Sequence, residues 1–463
     1  MKNFSSKNLI IVVLAIVIGA IIGQLAPPEG LTEVAMAYLG IFVGMLILLI
    51  TGALPSWAAC LGALALMVVF KVGTIPEIFS AFAGSIVWLM IAVFAFSAAV
   101  IKSGLMTRMA LKLLTVFPKN YRGQVLSLMT VGTVISPLIP SSNAKVNLLI
   151  PMATEMTKEV GYEKKSKPAL GLFTACFMPP YVGSHAFLTG NANVPFMIGI
   201  MGLSFSWIGW FQLTWLWLIV VLIGTYIFCM TYCKPKEKLN LPDEYFSDKL
   251  KELGKMSFNE KVAAIVVVIC LVLWIAQPLH GVDAGIICLI GAIVLALFGV
   301  LETKDFRTQV PWDLIMFIGA LIGGAGLMST VGVSTWLAGI MGPVLSPLVN
   351  NIWLFVPALC IITWIMRAVI PANGVVLVIL FAIFSPLLES AGISPFVLCF
   401  VVYVVSNIWF NSFQNPFVIG ILGVAGNEYV TIKEFKKSAY AYMLISLVAM
   451  MGSIPLWSLM GFC

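Results

Sequence analysis

Long apolar segments decide what this chain can become. Residues 9–26 and 34–54 each reach the roughly 18 apolar residues needed to cross hydrocarbon as a helix, and comparable runs recur to the C-terminus. A helix satisfies its own backbone, which is the condition for any segment surrounded by lipid. Composition agrees, because 61% of the 463 residues are hydrophobic and 10% charged, against about 25% charged in a typical soluble domain. A soluble globular enzyme is excluded. At about 20 residues per crossing, the length fits an all-α polytopic membrane protein of about eleven transmembrane helices with no large extramembrane domain. Lys2 and Lys7 precede the first run as in a signal peptide, but residues 23–28 offer no small-residue cleavage site, so 1–33 is read as an N-terminal helix.

Charge fixes the expected orientation. Of the 26 Lys and Arg residues, 23 fall in six clusters, at 2–7, 102–122, 158–167, 234–261, 304–307 and 433–437. By the positive-inside rule these lie in the cytoplasm, the connections near 27–33, 277–283 and 330–350 lie outside, and a cell-membrane protein results with its N-terminus cytoplasmic and its C-terminus external. The net charge of +7 is therefore topological and calls for no nucleic-acid partner. Lys71 ends a span and can snorkel to the interface. Lys145 and Arg367 lie inside apolar stretches, where a charge is costly and is most often functional. Nine scattered cysteines and two histidines suggest buried small hydrophobes rather than a disulfide framework or metal centre, and no cofactor is expected.

The chain repeats itself. Trp88 to Met90 corresponds to Trp312 to Leu314, residues 103–110 to 331–338, 139–151 to 370–380 and 195–201 to 416–422, at collinear offsets of 224, 228, 231 and 221. Residues 34–233 form the first repeat, 234–259 a polar cytoplasmic linker, and 260–463 the second repeat. Five crossings in the first repeat would start the second on the opposite face, giving inverted repeats around a shared site, as in many secondary transporters.

Helix breaks are written into the matched words. Residues 124–152 are apolar but carry Pro137, Pro140 and the polar tip Ser141-Ser142-Asn143, and both ends lie beside basic clusters. A re-entrant hairpin with Ser142 or Asn143 capping its returning arm fits this pattern. Residues 347–387 have the same form, with Asn373 at the tip and an external entry. Thr189-Gly190-Asn191-Ala192-Asn193 before Pro195, and Asn411-Ser412-Phe413-Gln414-Asn415 before Pro416, read as caps followed by proline in spans broken at mid-depth. Half-helices starting at Asn143, Asn193, Asn373 and Asn415 would turn four positive dipole ends on one anion. Lys145 either faces that anion or reaches cytoplasmic water along its stem. Arg367 suits a bidentate carboxylate contact or an intraprotein partner. His185 is either packed in the core or a ligand for substrate or proton. Asp283 and Glu389 look external and solvated.

These features resemble the divalent anion/sodium symporter family over essentially the whole chain. In that family the tips usually read Ser-Asn-Thr and Ser/Thr-Asn-Thr, where this chain has Ser142-Asn143-Ala144 and Ala372-Asn373-Gly374. The asparagines match, and the lost hydroxyls remove oxygens that help to hold Na⁺ in sodium-coupled members, which counts against Na⁺ as a coupling ion. Lys145 stands where citrate/succinate and 2-oxoglutarate/malate exchangers carry an arginine after the tip. The resemblance implies substrate contacts from Ser141 to Lys145, from Thr189, Gly190, Asn191 and Asn193, from Arg367, Ala372, Asn373 and Gly374, and from Ser412 and Asn415. It further implies a homodimer working as an elevator on a small dianionic substrate. Exchange of C4 to C5 dicarboxylates is favoured. Na⁺- or proton-coupled symport of dicarboxylate, tricarboxylate or sulfate is the alternative, and an intramembrane enzyme finds no serine in a Gly-x-Ser-x-Gly-like setting to serve His185.

Overall fold

A computed structural model describes residues 6–237, 239–388, 390–411, 414–415, 418, 422–423 and 428–463. Every regular element among them is helical. After the peripheral helix α1 (Ser6–Gln24) come α2 (Glu33–Thr51), α3 (Ser56–Val69), α4 (Ser85–Lys102), α5 (Leu105–Val116), α6 (Tyr121–Ile135), α7 (Ser142–Val160), α8 (Lys167–Phe177), α9 (Asn193–Met201) and α10 (Trp207–Thr231). The series then begins again with α11 (Phe258–Ile275), α12 (Ala284–Leu297), α13 (Trp312–Thr330), α14 (Val333–Val349), α15 (Ile352–Arg367), α16 (Asn373–Leu388), α17 (Pro395–Val405) and α18 (Ile432–Leu459).

Corresponding helices from α2 and α11 onward start 225 to 231 residues apart, so the sequence repeat is a repeat of structure. Its packing is exchanged between the halves. The third long helix of each half lies on the second of the other, α4 on α12 and α13 on α3, while α10 and α18 pack together. Such reciprocal contacts are those of two copies related by a two-fold axis.

Among the described residues seven helices, α1, α2, α4, α10, α11, α13 and α18, are individually long and apolar enough to cross a membrane. About eleven spans are expected from the sequence; beside these seven stand the shorter apolar helices α3, α12, α16 and α17 and the bent pair α14 and α15. Each segment expected as a hairpin holds two helices, with boundaries that local chemistry shifts. The first occupies α6 and α7, because α7 runs on past Pro151 to Val160. The second begins at Ile352 rather than 347, because Pro347 still belongs to α14 and the chain bends by 114° between α14 and α15. Asn351 caps the new helix, its side chain accepting from the Trp353 N–H at 3.1 Å.

The polar linker contains a short helix, Tyr245–Glu252, and is tied down on both sides. Leu241 N–H donates to the Lys119 carbonyl at 3.0 Å, and Arg108 on α5 donates to Glu260 at the start of α11 at 2.7 Å and to the Gly254 carbonyl at 2.9 Å. Asp283, expected to be merely solvated, caps α12 by accepting from the Gly285 N–H at 2.7 Å. Glu389 lies outside the described residues.

The block holding the hairpins is closely packed where α8 meets α6. A methyl at Gly171 would stand 1.9 Å from the Tyr121 hydroxyl and 2.7 Å from Cys233 Cβ, closer than any real contact. Gly171→Ala should lower stability by about 1–3 kcal/mol, the usual cost of overpacking. Thermal denaturation in detergent should show a lower Tm for this variant than for Gly326→Ala, whose added methyl meets nothing within 4 Å.

Candidate functional site

Serine, proline and asparagine build the first half of the site. Pro137 and Pro140 carry no N–H and hold the turn between α6 and α7 open. Ser141 is the last extended residue, and its hydroxyl accepts from the Ala144 N–H at 3.3 Å. The cap is therefore Ser141, one residue earlier than the Ser142 or Asn143 expected, because the helix already includes Ser142. Asn143 is exposed at the tip and Ala144 half-buried. Lys145 is wholly buried, and its ammonium donates to the Gly190 carbonyl at 2.7 Å.

Gly190 lies in the break of the neighbouring span. Pro179 and Pro180 remove two successive donors after α8, and the chain passes through a wide π-type turn, Met178–Val182, then a tight turn, Gly183–Ala186. Three further bonds lace the break to the hairpin tip. Thr189 donates to the Pro137 carbonyl at 2.7 Å, Ala192 N–H to the Pro140 carbonyl at 3.3 Å, and the Asn191 amide to both Ser142 and Ser184 hydroxyls at 3.2 Å. The Asn191 side-chain oxygen accepts from the Asn193 N–H at 3.0 Å at the start of α9, in which Pro195 is the third residue rather than the first. A methyl at Gly190 would sit 2.5 Å from the Ser184 carbonyl oxygen, so only glycine permits this approach. Between the break and α4 remains a void of about 10 Å³, water-sized. An apolar concavity of about 670 Å³ between α1, α2 and α3 shares no residue with the site.

The second half repeats the scheme with a different cation. Arg367, wholly buried at the end of α15, donates through Nε to the Ser406 carbonyl at 2.9 Å and through one terminal nitrogen to the Ile370 carbonyl at 2.7 Å and the Pro371 carbonyl. Its other terminal nitrogen donates to the Gln414 carbonyl, and the Gln414 amide returns a bond to the Arg367 carbonyl at 2.9 Å. Tip and break are thereby tied together, as by Lys145 in the first half. Of the two roles open for Arg367 in the sequence, this geometry occupies it with protein carbonyls. Ala372, Asn373 and Gly374 line the tip, half-buried, and Gly374 packs on the Phe196 ring.

One tyrosine joins the halves. The Tyr181 hydroxyl, on the π-type turn of the first break, donates to the Asn407 side-chain oxygen at 3.1 Å and accepts from the Asn415 amide at 2.8 Å. The same Asn407 oxygen accepts from the Asn373 amide at 2.9 Å. Tyr181, Asn407, Gln414, Ser184 and Ser406 escaped sequence reasoning, although Pro179-Pro180 and an asparagine at the end of α17 were visible signals. His185 is buried with Nδ1 2.8 Å from the Val182 carbonyl and its ring 5.9 Å from that of Tyr403. Ser412 and the helix expected after Pro416 lie outside the described residues.

The model of the family described as "Sodium:sulfate symporter transmembrane region" matches residues 6–462. Among curated proteins, the chain is 26% identical over 457 residues to "Dicarboxylate transporter 1, chloroplastic" of Spinacia oleracea, covering 96% of this chain and 80% of that one. It is 29% identical to "Putative malate transporter YflS" of Bacillus subtilis, with 73% of each chain covered, and 27% identical to "Inner membrane protein YbhI" of Escherichia coli, with 72% and 73% covered. Among solved structures, the YdaH transporter of Alcanivorax borkumensis matches with a TM-score of 0.62 at 15% identity over 99% of both chains. MtrF of Neisseria gonorrhoeae matches with a TM-score of 0.61 at 12% identity over 99% of this chain and 95% of that one. At such identities the structures establish likeness of fold alone.

Arg367→Lys keeps the charge but offers three donors from one point in place of a planar fork. It should leave at least one of the four carbonyls unpaired, at a cost of about 1–3 kcal/mol. Limited proteolysis and thermal denaturation in detergent should both show a less stable protein than wild type, with Arg367→Met lower still.

Proposed function

The chain belongs to the sodium:sulfate symporter transmembrane family, and from that membership we propose that it exchanges four- to five-carbon dicarboxylates across the cell membrane without Na⁺. It is a multi-span membrane transporter and not an enzyme. The dicarboxylate class is supported by the names of two relatives, a chloroplast dicarboxylate transporter and a putative malate transporter. It is also supported by the chemistry of the tips, where the first turns of α7 and α16 offer backbone donors and positive dipole ends to carboxylates.

The observation that carries the exchange mode is the pair of buried cations, each bridging a hairpin tip to the break beside it. Na⁺ would need several oxygen ligands at short range. In the first half the Gly190 carbonyl receives the Lys145 ammonium, the Ser142 hydroxyl receives Asn191, and the Ser141 hydroxyl is committed to the helix cap. In the second half, tip positions 372 and 374 have no side-chain oxygen, and the Ile370, Pro371 and Gln414 carbonyls receive Arg367. These oxygens already accept from Lys145, Arg367, the Asn191 amide and a backbone N–H, which supports a site that works without a sodium ion.

Charge arithmetic then gives exchange. Two fixed positive charges and one bound dianion sum to zero, whereas without the dianion the site would carry both charges through a medium where each costs at least about 2.5–3.5 kcal/mol. Only the loaded site moves, in either direction. In this reading the block of hairpins and broken helices travels against the long helices as an elevator, in a homodimer, with the N-terminus cytoplasmic and the C-terminus external. The exchanged packing of α4 on α12 and α13 on α3 supports the two-fold repeat that alternating access requires.

Proteoliposomes preloaded with succinate, 2-oxoglutarate, citrate or nothing test the proposal, with labelled succinate outside in Na⁺ or choline medium. Entry should occur only against an internal dicarboxylate and at equal rates in both media. Entry into empty vesicles that requires Na⁺ would contradict it. Lys145→Gln should lower exchange by about tenfold or more, the scale of removing a buried charge-assisted bond, and unchanged exchange in that variant would sink the role given to Lys145.

A further inference from the structure

The polar network that joins the halves through Tyr181 has a fixed hydrogen-bond direction. The Asn407 amide nitrogen donates to the Tyr403 carbonyl at 2.9 Å, so its side-chain oxygen must face the other way. That oxygen accepts from the Asn373 amide at 2.9 Å and from the Tyr181 hydroxyl at 3.1 Å. The Tyr181 proton is therefore committed, and toward Asn415 the hydroxyl presents a lone pair. Asn415 can meet it only with its amide nitrogen, at 2.8 Å. The Asn415 side-chain oxygen is left over: it is buried, and among the described residues it has no hydrogen-bond partner.

A buried acceptor without a donor is held at a free-energy cost that an incoming donor recovers. Asn415 stands three hydrogen bonds from Asn373, through Tyr181 and Asn407, and its neighbour Gln414 shares the Arg367 guanidinium with Pro371 just before the hairpin tip, so the Asn415 amide lies beside the place a bound dicarboxylate would take. A carboxylate or a keto group brings only acceptors. A hydroxyl beside the carboxylate brings the missing proton.

We propose that Asn415, oriented by Tyr181, is the residue that makes this transporter prefer 2-hydroxy dicarboxylates over the unsubstituted and 2-oxo acids of the same length. The inference rests on the dicarboxylate reading above and narrows its substrate class. Asn415 contacts the substrate, and Tyr181 is a positioning residue that sets which end of the Asn415 amide does so.

The test is competition against labelled succinate exchange in proteoliposomes, comparing malate with succinate, and 2-hydroxyglutarate with glutarate and 2-oxoglutarate. Length preference divides out within each series. In the wild type, the hydroxy acid should inhibit at a concentration about threefold to tenfold lower than the unsubstituted acid, the range expected of one neutral hydrogen bond. Asn415→Leu should bring that ratio near one. Tyr181→Phe removes the lone pair that holds the amide nitrogen, so the Asn415 amide can turn and donate. The hydroxy preference should then fall while the 2-oxo acid gains relative to glutarate, a crossover that mere loosening of the fold would not produce. A wild type indifferent to the hydroxyl would overturn the proposal without recourse to any variant, as would an unchanged ratio in Asn415→Leu. Exchange of labelled sulfate with no exchange of labelled succinate would instead remove the dicarboxylate reading on which it stands.

Discussion

Everything in the polar centre depends on a positive side chain donating to main-chain carbonyls exposed where a helix stops. A broken helix leaves carbonyls without partners, and at depth in a membrane no bulk water is present to take them. Lys145 at Gly190 and Arg367 at Ile370, Pro371, Ser406 and Gln414 supply the donors. Each charge thereby finds a substitute for solvent, and each break finds closure. A mobile cation could serve the same carbonyls, and the use of covalently attached ones turns a binding equilibrium into a permanent feature of the site.

The two halves are alike in backbone and unlike in chemistry. In the first, serine and threonine hydroxyls together with Asn191 knit tip to break, and Lys145 adds one bond. In the second, the tip from Pro371 to Gly374 has no serine or threonine, and a single guanidinium with its planar fork spans four carbonyls. The asymmetry extends to the tip asparagines, since Asn373 is held by Asn407 while Asn143 is exposed. Two copies of one fold have thus been given different tasks, the second carrying the directional network that runs through Tyr181.

What could be read in the sequence was what depends on neighbours in the chain. Pro137, Pro140 and the serines after them identify a hairpin tip, because proline removes donors and serine caps within three residues, and both effects are local. The repeat was legible for a similar reason, since collinear words preserve element order. The partners of Arg367 were not legible. They are carbonyls, present at every residue, and two of them lie 39 and 47 positions away. Tyr181 escaped notice because its significance comes from Asn407, 226 residues distant and in the other half. The cap at Ser141 in place of Ser142 or Asn143 reflects the one-residue uncertainty of any helix start judged from composition.

The central claim is that fixed cations do here what a bound sodium ion does elsewhere, and ligand-induced thermal stabilisation of the purified protein tests it most directly. A ligand that binds only the folded state raises Tm in proportion to its binding free energy. The account predicts that a dicarboxylate raises Tm equally in Na⁺ and in choline, and that Na⁺ alone leaves Tm where choline leaves it. Stabilisation by Na⁺ alone, or a dicarboxylate effect that vanishes in choline, would contradict it.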